Sequence, residues 1–229
     1  MRKEISLFQF LVSLILGVYA LIMIVYFELN YFFYKQFLFM TMWNFYFSTI
    51  FLIVVAICDF SFFILKSEKL EKLNVLFRET LSPSFTSITY LVTFTFWVMI
   101  FPVLIMGGKD GNFGLTLYIN LYLHLYLTIF QTIDIFLSQR KYKGIVIKYE
   151  YLIAVFIMGV YSLLAIILVY GFDMPIYPFL NNMTWYKAIG EIVLFQIMTY
   201  LFYLIHVGLI KLKYKFKINV LDDIIKKNE

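Results

Sequence analysis

The 229-residue chain holds one cysteine, Cys58, set inside an apolar run. No intrachain disulfide is possible, and a cysteine-rich metal site is excluded. Histidine is almost as scarce, with only His124 and His206. They fall in different apolar segments at opposite depths, and no His-x-x-x-His or His-Glu-x-x-His spacing exists, so no metal site is expected. There is no Gly-x-Ser-x-Gly elbow of a soluble hydrolase. The glycine-rich stretch GGKDGNFG at 107–114 has no Walker spacing after it and reads as a flexible turn, not a phosphate loop. No cofactor is expected from any motif. No internal repeat is detectable, which argues against an inverted-repeat transporter. Charge is scarce too. Asp, Glu, Lys and Arg make up 14% of the chain, where a soluble domain runs near 25%.

What fills the chain instead is apolar, at 63% of residues. Six runs separate at 5–27, 36–64, 83–106, 115–137, 151–172 and 184–210. Each is near or above the roughly 20 residues a helix needs to cross a bilayer. The first is too long for a signal-peptide core and lacks a cleavage site, so it is expected to be retained. The net charge of +5 does not point to nucleic acid, because the cations sit between the apolar runs. Of the 19 Lys and Arg, 16 lie in alternate connections and the two ends, and only Lys35, Lys109 and Lys187 lie on the other side. The positive-inside bias then places both termini in the cytosol. The expected fold is an all-α integral membrane bundle of six transmembrane helices over 1–212, followed by a basic cytosolic tail over 213–229. The 67–79 segment, SEKLEKLNVLFRE, reads either as a short interfacial helix or as a solvated connector.

Polar residues inside the runs are the informative ones. At about 100° per residue, Asn120, His124, Gln131 and Asp134 share one sector of the fourth run, with Thr128 at its edge. In the second run, Thr41, Asn44, Ser48 and Asp59 fall at about 0°, 300°, 340° and 0°. Ionisable groups at membrane depth are costly and usually face a bundle interior, so the two stripes should face each other. The hydroxyls of the third run, Ser82 to Thr95, are cheap to bury against their own backbone and receive no role. Glu191 reads as interfacial rather than as a site residue. A histidine beside a Thr or Ser hydroxyl can activate it toward an ester, with Asn donors holding the oxyanion. A packed structural histidine, a lipid-binding or regulatory membrane protein without catalysis, and a small transporter relaying protons through His124 and Asp134 remain as alternatives.

An ordered set of residues over about 170 positions adds to this reading. It runs from Thr41 with Asn44 three later, through Asp59 and Phe96-Trp97, to Asn120-x-x-x-His124 with Asp134 ten later. It continues with Tyr177-Pro178-Phe179-Leu180 and Leu201-Phe202-Tyr203-Leu204. In these features the chain resembles the androgen-induced gene / ADTRP family of six-span membrane proteins, whose members hydrolyse fatty acid esters of hydroxy fatty acids. The resemblance implies a threonine nucleophile and a histidine base, which by position are Thr41 and His124. Asn44, Ser48 and Asn120 are expected to support the site or bind substrate. The implied partners are a lipid ester and membrane lipids; the oligomeric state is open.

One conflict is visible in the numbering. Thr41 lies 18 residues from Asp59, whereas His124 lies 10 from Asp134. At 1.5 Å per residue that is a depth offset of about 12 Å. Ser48 is on the same stripe as Thr41 and nearly level with His124, so it is the second candidate nucleophile. Finally, Lys226 and Lys227 in KKNE are similar to the dilysine retrieval signal of endoplasmic-reticulum membrane proteins, a receptor-read address.

Overall fold

The computed structural model describes residues 7–31, 39–65, 68–100, 117–137, 147–172, 174 and 184–228, and every element among them is helical. Helix α1 is Leu7–Tyr31, α2 Met40–Leu65 and α3 Glu68–Thr80. Helix α4 spans 82–100, α-helical over Ser82–Phe94 and π-wound over Thr95–Ile100. Helix α5 spans 117–137, with a π turn at Tyr122–Tyr126 between Leu117–Leu121 and Leu127–Leu137. Helix α6 spans 147–171 and ends in a π turn, Ile167–Gly171. Helix α7, Trp185–Asn228, continues unbroken through the position where a separate tail was expected. The 107–114 turn and the 177–180 tetrapeptide lie outside the described residues, as do the side chains of Lys226 and Lys227.

The described part of each of the six apolar runs is helical in all but at most its first residue. Among the described residues, four helical stretches, Phe8–Asn30, Met40–Ile64, Tyr149–Gly171 and Trp185–Lys215, are long and apolar enough to cross a membrane. The packing is inverted relative to a soluble domain. Phe8, Leu29, Phe156 and Leu163 lie on the outside, while Asn44, Ser48, Asp59, Arg78, Gln131 and Asp134 are buried. A polar interior under an apolar exterior is what hydrocarbon surroundings select.

Two apolar clusters hold the helices together. One joins α1, α2 and α5 through Ala20, Met23, Phe45, Leu52, Tyr122 and Leu127. The other joins the start of α2 to α4 and α6 through Met40, Ile88, Leu91, Met158 and Tyr161, with Phe195 and Phe202 of α7 packed against it. Helix α5 is buried at Ile119, Tyr122, Leu123 and Leu127, so this stretch is enclosed on several sides. That is why Asn120 stays inside although the π turn breaks the straight-helix phase between it and His124.

The 67–79 segment forms a helix that docks on the bundle. Asn74 and Arg78 turn inward, whereas Lys69, Lys72 and Leu73 remain exposed. Leu81 keeps helical angles, and Pro83 occupies the first turn of α4, where its missing N–H costs nothing. The α4 hydroxyls, given no role from sequence, bond both backward and across. Ser87 bonds backward, to the Pro83 carbonyl at 2.5 Å. Thr89, Thr93 and Ser84 instead bond across to Asn44, to Thr128 and to the Glu150 carbonyl. The reason is proximity: α4 sits centrally, so partners on neighbouring helices compete with its own backbone.

Helices α1 and α2 approach most closely at Gly17, where an added Cβ would lie 2.2 Å from the Ala56 Cβ. Gly17→Ala should therefore force the pair apart and cost about 1–3 kcal/mol, read as a lower Tm in detergent. Gly159 on α6 has nothing within 4 Å of a new Cβ. Gly159→Ala should leave Tm unchanged or raise it, because alanine is the better helix former.

Candidate functional site

At one end of the bundle the helices meet at one buried cation. The Arg78 guanidinium spans two carboxylates. Its Nη1 and Nη2 donate to Asp59 at 2.8 and 2.9 Å. Its Nη2 and Nε donate to Asp134 Oδ1 at 2.7 and 3.2 Å. Ser13 of α1 donates to Asp59 at 2.6 Å, and the Asn74 side-chain amide also donates to Asp59. Four helices are thus tied through one side chain. Burial alone would lower the Arg78 pKa, but Asp134 and Asp59 outweigh it and hold it above its ordinary value. The sequence stripes contained both acids but not their partner. The available signal was that two carboxylates at one depth require a cation, and Arg78 is the only arginine in the adjoining connection.

Because Asp59 and Asp134 share a cation, they are level. Above them, the Thr49 and Tyr122 hydroxyls sit 3.2 Å apart, so α2 and α5 also run in step there. Tilt narrows the expected depth offset between Thr41 and His124 on the α4 side: Ser48 meets Thr89, and seven residues further along the two antiparallel helices Thr41 comes to the level of Phe96, which stacks on His124.

His124 lies within the π turn of α5 and is buried. Its ring stacks on Phe96, with centroids 3.5 Å apart and planes 6° from parallel. Phe96 belongs to the π turn of α4. Next to it, the Trp97 indole N–H donates to the His124 carbonyl oxygen at 3.0 Å. Two π turns thus face each other. Such turns re-aim side chains and recur at functional sites.

Phe96 also lines a chamber of about 100 Å³, walled by α2, α4, α6 and α7. Its lining is mostly apolar, with Thr41, Thr95, Ser162 and Glu191 as polar exceptions. Thr95 Oγ1 and Glu191 Oε2 are buried and have no hydrogen-bond partner. Thr41 borders the chamber directly. His124 is not part of the wall, and Phe96 stands between. Glu191, read from sequence as interfacial, contributes to the chamber as well. Its position in the opening turns of α7 resembled an interface, and nothing in the linear pattern showed the neighbouring walls.

Asn44 and Ser48 are brought together in a separate buried cluster. Asn44 Oδ1 accepts from Ser48 at 3.1 Å and from Thr89 at 2.7 Å, and the Ser48 and Thr89 hydroxyls are 3.0 Å apart. Asn120 is buried a turn before His124. Around these residues six buried polar atoms lack a hydrogen-bond partner: Asn44 Nδ2, Thr86 Oγ1, Asn120 Oδ1, His124 Nδ1 and both amide atoms of Gln131. Each such atom costs about 1–3 kcal/mol, against a total stability of about 5–15 kcal/mol. A bundle cannot carry that many unpaired at once.

The fold and this interior define a helical membrane protein with an apolar chamber beside a polar core. A family model described as FAR-17a/AIG1-like protein matches residues 4–211, and the chain belongs to that family. Comparison with curated proteins and with solved structures finds no match.

Removing the shared cation leaves two buried carboxylates facing each other. Arg78→Met should cost about 3–5 kcal/mol, seen as a sharp fall in Tm or in yield of folded protein. The triple substitution Arg78→Met, Asp59→Asn, Asp134→Asn should recover most of the loss. If Arg78→Met alone is neutral, the clamp is not what holds these helices.

Proposed function

We propose that this chain crosses the membrane six times with both termini in the cytosol, and that it hydrolyses lipid esters. Fatty acid esters of hydroxy fatty acids are the substrate class the family resemblance implies. Thr41 is the nucleophile and His124 the base. The observation that carries this reading is the double role of Phe96, which walls the chamber beside Thr41 and stacks on His124. A rotation of this one ring would open the imidazole to the chamber.

The chemistry follows the ordinary course for an activated hydroxyl. The imidazole takes the Thr41 proton as the hydroxyl oxygen attacks the ester carbonyl. The leaving hydroxy fatty acid takes that proton as its C–O bond breaks. Water then attacks the acyl-threonine, again giving a proton to His124, and the carboxylic acid departs as Thr41 is reprotonated. Asn120 Oδ1 could accept from the imidazole and orient it; Asn44 does not border the chamber and supports the site from the Ser48–Thr89 cluster. A mostly apolar chamber between four helices suits an acyl chain arriving from the lipid. Ser48 is the weaker candidate, because its hydroxyl is engaged by Asn44 and Thr89 and it does not border the chamber. A lipid-binding protein without catalysis would use the same chamber, and ester hydrolysis separates the two.

Purified protein should hydrolyse a branched fatty-acid ester. Thr41→Ala and His124→Ala should each lower the rate by about 10²–10⁴-fold with Tm unchanged. Ser48→Ala should keep the rate within a few-fold. Equal inertness of wild type and variants would overturn the enzyme reading, and retained binding of the ester would then favour a lipid-binding protein. Proton flux in proteoliposomes that His124→Ala abolishes would favour a transporter.

A further inference from the structure

The polar groups of α5 are arranged, not scattered. His124 lies in the π turn, and Thr128, Gln131 and Asp134 follow in the regular helix from Leu127 onward; His124 Nδ1 and both Gln131 amide atoms lack a partner, while Thr128 meets Thr93 and Asp134 meets Arg78. Steps of three residues set Thr128, Gln131 and Asp134 about 5–6 Å apart along one face. On α4, Thr86, Thr89 and Thr93 run alongside, and the Thr93 and Thr128 hydroxyls meet at 2.6 Å between His124 and Gln131. Gln131 is 1% exposed, and neither of its amide atoms has a partner. The lower end of this row is the Arg78 clamp, reached through Asp134. The upper end is the imidazole, whose Nδ1 is unpartnered and whose far face is closed by Phe96.

We propose that the α2–α4–α5 interior is a binding site for a file of water molecules, running from the Asp134–Arg78 pair past Gln131 to His124. Gln131 is its central polar station, able to donate to one water and accept from the next. Buried waters in proteins typically bridge such otherwise unsatisfied groups. Phe96 is the partition: acyl chains lie on its chamber side and water on its histidine side. Resting on the ester-hydrolase reading, this file also supplies the water that attacks the acyl-threonine and carries away the proton the released acid gives up. The hydration itself does not depend on that reading.

Hydroxyl radicals generated by a brief X-ray pulse label side chains next to bound water, even deep inside a protein. In lipid nanodiscs, His124 should be labelled several-fold more than Phe45 and Phe51, which are buried as deeply in the dry cluster of α1, α2 and α5. Gln131→Leu, or Gln131→Met should Leu prevent folding, should cut the His124 label several-fold without moving Tm. With an ester substrate, the same variant should slow release of the acyl-chain acid while leaving the initial burst of hydroxy fatty acid intact. Labelling of His124 no greater than that of Phe45, or unaffected by Gln131 substitution, would overturn the proposal. Absence of any turnover in the wild type would instead strike the ester reading, and the labelling would still decide the hydration.

Discussion

One guanidinium sets the geometry of this molecule. Arg78 reaches from the short helix after α2 into the bundle and binds Asp59 and Asp134 together. The three charges are almost fully buried, so no member can lose its partner without leaving an uncompensated charge inside. The clamp levels α2 against α5, and Ser13 brings α1 into the same network. Everything above is measured from this floor. It sets Thr49 against the Tyr122 hydroxyl of α5 and Ser48 against Thr89 of α4.

The interior above the clamp is divided. His124 belongs to the polar row of α5, and Thr41, which borders the apolar chamber, to the start of α2. Phe96 separates them, flat against the imidazole on one face and part of the chamber wall on the other. The π turns at Thr95–Ile100 and Tyr122–Tyr126 aim the two rings at each other. An α-helical ladder has little freedom to rotate a side chain at its own level, whereas a π turn already carries an extra residue to absorb such motion. A division of this kind keeps water away from an apolar ligand until a ring moves.

Much of the architecture is legible in the sequence because hydrocarbon imposes simple rules. Apolar runs had to become helices, since no other local structure pairs every backbone group in lipid. The polar stripes of the second and fourth runs had to point inward, and Asn44, Ser48, Asp59, His124, Gln131 and Asp134 do. Other features were hidden for definite reasons. The burial of Arg78 depends on two acids distant in sequence. The π turns insert a residue that a fixed angle per residue cannot register. The stack of Phe96 on His124, and the place of Glu191 in the chamber wall, arise from neighbours on other helices. The cross-bundle partners of the α4 hydroxyls Thr89 and Thr93, which received no role from sequence, were hidden for the same cause.

The central claim is that a hydroxyl facing the chamber is acylated with the help of an imidazole behind Phe96. Its most direct measurement is the site of covalent attack. Purified protein treated with a long-chain fluorophosphonate should carry one adduct, mapped by peptide mass spectrometry to Thr41, and His124→Ala should prevent its formation. An adduct on Ser48, or labelling at Thr41 that is indifferent to the loss of His124, would contradict the account.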